Sequence, residues 1–302
     1  MAKRKKQRNQ QEKRVRRPKA PRLLKAGTDA AATREIQLAM FQSERLLRLV
    51  HFPMTIESDV RPEPRVQDNW HVVAPAMLFS ASSCLLSIRL LAETQAPRRE
   101  QDAIVLLRRL YEHVVDFAWI AIDPETHAKK WVADDRFYRL KIDDDFKRLG
   151  QPGLEPTKRL EYEQYVKAHG RMPDMASRAD AADKHWSKLI GGHGVFPTTP
   201  APAGTSINSA QNGNWSFRTQ YTIVYRLASG NAHPTPMSLL SYVDAHGASG
   251  RFTIGVNPHD HGDRYAYTFA PLIYATLLLV SEHVLGVPKR ADIEGVFEQF
   301  KS

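Results

Sequence analysis

The amino-acid sequence predicts an all-α, multi-helix bundle, and three observations carry that expectation. Apolar residues recur at spacings of three and four through segments of twenty residues or more. Proline and glycine gather between those segments and mark where one helix hands over to the next. Only one stretch, near 250–256, alternates with the period of a strand, which predicts a single short β element. With 42% apolar residues, the chain has enough material for a globular core.

Thr28 or Asp29 can cap a first helix over 30–51, with Ile36, Met40, Leu46, Leu47 and Val50 along it. Pro53, Pro62 and Pro64 form a link to a second helix, about 68–93. That helix is apolar on more than one face, which predicts a central, buried position. Pro75 falls in its first turns and can kink it or move its start. The third helix, about 98–122, carries Ile104, Leu107, Leu110, Val114, Phe117 and Ile120, with Arg109, Glu112, His113 and Asp116 among them. Pro124 opens a helix to about Arg148. Its consecutive Asp143, Asp144 and Asp145 point in three directions, as a solvated face does.

Helices near 156–169 and 174–190 follow. Residues 191–214, rich in Gly, Pro, Ser, Thr and Asn, are expected as a long flexible loop. A helix over 216–230, a shorter one from about Pro236 and a final apolar helix over 263–285 complete the domain. The expected organisation is a basic disordered arm at 1–27, a helical domain at 28–290 and a C-terminal tail at 291–302.

The formal net charge is +10, and its distribution decides what it means. The first 26 residues hold twelve Lys or Arg and one acid, Glu12, which leaves 31 basic and 32 acidic residues in the remainder. The folded body is therefore nearly neutral. Lys3, Arg4, Lys5, Lys6, Arg14, Arg16 and Arg17 in the arm are the expected nucleic-acid-binding residues, acting on phosphate without reading sequence. The single cysteine, Cys84, rules out an intrachain disulfide and fits a cytoplasmic setting. No run of about 18 uninterrupted apolar residues is present, so no membrane span is expected.

Chemistry is most concentrated in Tyr225-Arg226-Leu227-Ala228-Ser229-Gly230-Asn231-Ala232-His233-Pro234. A histidine at a helix end can serve as general acid or base on an RNA 2′-hydroxyl or leaving group. An arginine nearby can stabilise charge on the phosphorane-like transition state. The Arg226–His233 spacing resembles the Arg-x(4–6)-His signature of the HEPN superfamily, helical proteins that include many metal-independent endoribonucleases of defence systems. The resemblance implies an active groove at a dimer interface and an antitoxin-like partner. The chain departs from it at Leu227, where those enzymes carry a polar residue, and Gly230 suggests a helix end before His233.

Leu107-Arg108-Arg109-Leu110-Tyr111-Glu112-His113, followed by the 225–234 motif, resembles an uncharacterised bacterial helical domain family. That family pairs an Arg-x-x-Glu helix with a later Ser-x-x-x-His element. The matching residues are Arg109, Glu112, Ser229 and His233, and the resemblance covers roughly 70–285. It implies fold and site location but no activity. Physically, Arg109 and Glu112 lie one turn apart and can pair, with Ser229 and His233 as hydrogen-bonding partners across a pocket. The alternative is a structural network that fixes helix packing.

A third candidate is the zinc-ligand pattern His259, His261 and Asp263, whose bland counterpart is a polar turn with Asp263 as a helix cap. No Walker-type loop, nucleophile elbow or cysteine-rich module is found. The expected function is a metal-independent endoribonuclease of a defence or stress system, needing no cofactor, with His233 as acid/base, Arg226 or Arg109 on the phosphate, and Glu112 with Ser229 in support. The expected partners are RNA or another polyanion, a second copy of the chain and an antitoxin-like protein. The alternative is a non-catalytic helical scaffold or sensor binding nucleic acid or a protein partner.

Overall fold

The structure, a computed structural model, describes residues 30–51, 70–93, 99–190, 216–225, 243–245, 252–254, 264–286 and 288–298. In chain order these form α1 (Ala30–His51), α2 (Trp70–Glu93), α3 (Arg99–Ile120), α4 (Pro124–Arg148), α5 (Pro156–His169) and α6 (Met175–Ile190). A short α7 (Phe217–Gln220) continues into a π-helical turn, Tyr221–Tyr225. Then come β1 (Val243–Ala245), β2 (Phe252–Ile254), α8 (Arg264–Leu285) and α9 (Arg290–Glu298). The fold is an all-α bundle. The strands are a three-residue antiparallel pair with Asp244 opposite Thr253.

Helices α3 and α8 are the axis of the bundle. On α3, Leu107, Leu110, Tyr111, Val114, Val115, Phe117 and Ile120 are wholly buried, so the helix is enclosed by α2, α6, α8 and the 217–225 segment. On α8 the run Ile273–Val280 is inside. Burying a Leu- or Phe-sized side chain is worth about 1.5–3 kcal/mol, so these two helices contribute a large share of the apolar stabilisation.

The breadth of apolar surface on the second helix predicts a central position, and the structure does not place it there. Val73, Ala74, Met77, Leu78, Ala81, Leu85 and Ile88 face α1, α3 and α8, but Val72, Ala76, Phe79, Ser83, Leu86 and Leu90 face outward. An apolar surface on every side does not require neighbours on every side. Pro75 lies inside this helix and does not move its start. By length and mean hydropathy, α2 and the stretch Tyr265–Leu285 are each long and apolar enough to cross a membrane. Serines and a few other polar residues punctuate both helices, so neither holds an uninterrupted apolar run of that length.

Residues 291–298 of the expected tail belong to helix α9. Its Ile293, Val296 and Phe297 recur at three and one, enough to bury one face against α1 and α8.

Helices α4 and α5 form an antiparallel hairpin touching the bundle through the first turns of α4 only weakly. Here the expectation of a solvated Asp143 is also corrected. Asp144 and Asp145 are exposed, but Asp143 is 2% exposed. Its carboxylate takes hydrogen bonds from Lys147 at 2.8 Å, the backbone N–H of Leu154 and Arg159 of α5. Those donors, Lys147 foremost, pull its pKa down to about 2. Gly153 leaves the room this needs, since a methyl group there would overlap the Asp143 Oδ1 atom. The 191–214 loop, the 1–27 arm and the expected helix from Pro236 lie outside the described residues.

Candidate functional site

Arg108, Glu112 and Asp116 are spaced by four, so they form one polar row along α3 beside its apolar stripe. The row faces α6 and the 217–225 segment. Arg108 donates to Glu112 at 3.1 Å and to the Tyr225 hydroxyl at 3.3 Å, and its guanidinium lies 4.9 Å from the Tyr225 ring centre. Arg109 approaches the other Glu112 oxygen at 3.7 Å and stays 63% exposed at its side chain. Glu112 is thus bracketed by two arginines at the rim of the seam.

Deeper along the row, Asp116 meets Arg178 of α6 at 2.9 Å. Burial pushes the Asp116 pKa up to about 6 against the pull of that guanidinium. A buried pair of this kind is costly to break because truncating one side strands the other charge.

The start of α7 is held by an anion from a neighbouring helix. Asp183 of α6 accepts the backbone N–H of Phe217 at 2.6 Å and of Arg218 at 2.9 Å, where orphan helical donors and the dipole favour a carboxylate. Its pKa is nevertheless raised by burial. Ser216 caps Thr219 at 3.0 Å, and Tyr111 donates to the Phe217 carbonyl at 2.8 Å. Behind the segment, the buried Gln220 donates to Thr276 of α8 at 3.1 Å.

The segment so fixed presents a ladder of rings and cations. Tyr221 and Tyr225 stack at 5.3 Å and 17°. Arg218 lies 5.3 Å over Tyr221 at one end, and Arg108 covers Tyr225 at the other. Arg218 also pairs with Asp180 at 3.1 Å. Stacked tyrosines flanked by guanidinium groups are side chains of the kind that meet bases and phosphates of a single strand.

Of the residues expected from sequence, Arg109 and Glu112 come together on α3. Arg226, Ser229 and His233 lie outside the described residues, and Arg226 follows Tyr225 directly in the chain. The arm residues Lys3, Arg4, Lys5, Lys6, Arg14, Arg16 and Arg17, and the zinc candidates His259, His261 and Asp263, lie outside them as well. Among the described residues no three His, Cys, Asp or Glu side chains gather as metal ligands would. His113 shares a 2.9 Å hydrogen bond with Ser80 of α2, and burial lowers its pKa to about 4. Cys84 is buried and its thiol pKa is raised by that burial, as for a packing residue.

Sequence reasoning missed Arg108, Tyr221, Arg218 and Asp183. The 108–112–116 spacing was a legible signal for the first. The others owe their place to contacts between residues far apart in sequence.

The family described as a family of unknown function (DUF5677) matches residues 71–250, which runs from the first turn of α2 through β1 and includes the whole seam. Neither a curated protein nor a solved structure matches the chain.

Proposed function

We propose that this chain, which belongs to the DUF5677 family of unknown function, is a metal-independent endoribonuclease working at the edge of the α3/217–225 seam. The observation that carries the reading is the ladder Arg218–Tyr221–Tyr225–Arg108, which ends one residue before Arg226. RNA laid along the ladder brings a phosphate towards Arg226 and the exposed Arg109. His233 then takes the 2′-hydroxyl proton or supplies one to the leaving 5′-oxygen. The arginines offset charge on the transition state. Glu112, tied to Arg108 and Arg109, orients the cations, and Ser229 supports His233. The basic arm raises the local concentration of RNA without choosing its sequence.

The test is cleavage of mixed RNA in excess EDTA by wild type, His233→Ala and Arg109→Ala. Wild type is expected to cut and leave 2′,3′-cyclic phosphate ends. His233→Ala is expected to lose at least about 100-fold in rate, the usual scale of a general acid or base. Arg109→Ala is expected to lose about 10-fold or more. Cleavage untouched by His233→Ala would remove the proposed mechanism.

A second reading, a helical scaffold that binds RNA without cutting it, is favoured by one observation. Glu112 is already engaged by two arginines, as in a network that only sets helix packing. Binding of single-stranded RNA that weakens on Tyr221→Ala, with no cleavage by any variant, would select it.

A further inference from the structure

The two arginines that end the ladder are held differently. Arg108 is engaged by the Glu112 carboxylate, the Tyr225 hydroxyl and the Tyr225 ring, and its side chain is only 23% exposed. It has little freedom to turn towards a ligand. Arg218 lies over Tyr221 and pairs with Asp180 of α6 at 3.1 Å, and the two side chains of that pair are 51% and 59% exposed. Such a pair is weak, because water screens both charges and two side chains must be held still to make it. An arginine on a phosphate, by contrast, makes charge-assisted and often bidentate hydrogen bonds. Exchanging Asp180 for a phosphate therefore costs Arg218 little.

The backbone beneath Arg218 is fixed although its guanidinium is not. Asp183 accepts the N–H groups of Phe217 and of Arg218 itself, and Ser216 caps Thr219. Phe217 and Gln220 are wholly buried on either side, and Gln220 donates to Thr276 of α8. A ligand that meets Arg218 has only a side chain to order, which keeps the entropic cost of binding small. Asp180, once released, is not stranded. Lys184 lies exposed four residues further along α6, in the acid-then-lysine order that pairs well on a helix. With the guanidinium turned away, the ring surface of Tyr221 that it covered opens to a base. A phosphate and its neighbouring base would then be received by adjacent groups, as in other single-strand platforms.

We propose that Arg218 is a phosphate-binding residue of this site, and that Asp180 is the carboxylate it gives up when a single strand of RNA arrives. The inference rests on the RNA reading given above and adds to it a competitor within the chain. Asp180 holds Arg218 over Tyr221 in the free protein and sets a threshold that only a polyanion crosses.

Fluorescence anisotropy of the full chain with a labelled 2′-O-methyl oligouridylate of about 12 nucleotides tests it. Blocking the 2′-hydroxyl prevents cleavage, so binding is read alone, and the basic arm contributes equally to every variant. Arg218→Ala is expected to weaken binding about fivefold at low salt. It should also flatten the slope of log affinity against log salt by about 0.7, the share of one phosphate on a single strand. Arg218→Lys keeps the charge and should keep the slope. Asp180→Asn removes the competitor and is expected to tighten binding at least about threefold. A pair that served only to fix α7 on α6 would behave otherwise, since both substitutions would then weaken binding together. Weaker binding by Asp180→Asn, or a slope unmoved by Arg218→Ala, would overturn the proposal and leave the RNA reading standing. A wild type that does not bind the probe would overturn both.

Discussion

Helices α3 and α5 are both rich in charged residues, yet the chain holds them in place by different means. Helix α3 buries Leu107, Leu110, Tyr111, Val114 and Val115 completely and sets Arg108, Glu112 and Asp116 in one row. Helix α5 buries no residue fully. It is fastened to α4 by Arg159 on Asp143 and Asp144, and by Arg136, which lies 3.8 Å from the Tyr165 ring centre and 3.6 Å from Glu161. Nearby, Arg171 pairs with Asp134 at 2.7 Å and covers Phe137 at 3.9 Å. Apolar burial is shared among several helices, so loss of any one contact is felt throughout. A hairpin held by ion pairs and cation–π contacts can open by itself.

The sharpest way to break that contrast is Phe117→Ala. This side chain is wholly buried at the centre and meets Trp70 of α2 at 5.2 Å. The expected cost is about 3–5 kcal/mol, read as a lowered urea transition of the bundle helices. A variant that melts only the hairpin early would reverse the assignment.

A smaller effect is expected from pH at the α2/α3 contact. Burial, and then Arg109, hold His113 at about 4, below the ordinary value of 6.5. Between those values the unfolded chain binds a proton that the folded chain refuses. Stability from this group is therefore full above pH 6.5 and is lost as pH falls towards 4. Asp116, raised to about 6, works in the opposite direction, because the folded chain takes up its proton first. His113→Gln keeps a hydrogen-bonding group near Ser80 and removes only the first contribution. Between pH 7 and 4.5, wild type should lose about 2 kcal/mol more than the variant. Parallel urea curves for the two proteins over that range would show His113 to titrate normally.

The smallest effect should be the most local. Asp143→Ala removes one of the three carboxylates on Arg159, which keeps Asp144 and Glu163, and leaves the Leu154 N–H without its acceptor. Hydrogen exchange in α5 should speed up by about tenfold and leave α8 unchanged. One molar salt should move in the same direction, since it screens exposed pairs. Protection lost in α8 as well would mean that the hairpin and the bundle unfold together.

Most helix boundaries were readable because periodicity and caps are local signals. Pro124 and Pro156 sit at first helical positions, with Asp123 and Glu155 as their N-caps. Helix α9 escapes a reading by periodicity because nine residues carry too few repeats to stand out from a tail. The 217–225 segment reads as ordinary α-helix, and its second half is a π-turn. Nothing in Tyr221–Tyr225 requires that widening. Tyr111, Asp183 and Arg108 clamp the segment from two other helices. In the candidate site, Arg109 and Glu112 were legible as an i,i+3 pair, but Arg108 proved to be the arginine that reaches Tyr225, 117 residues away.

The sequence by itself determined that the chain is helical, where most helices begin and end, and that its charge lies in the arm. These follow from interactions within a turn or two of the backbone. Only the tertiary structure decided that α3 and α8 form the axis, that α2 keeps Val72, Leu86 and Leu90 exposed, and that Asp143 is enclosed. An amphipathic pattern states that a face is apolar but does not say how many neighbours will arrive to cover it. That number depends on how all the helices share the available apolar surface, a property of the whole chain rather than of any segment.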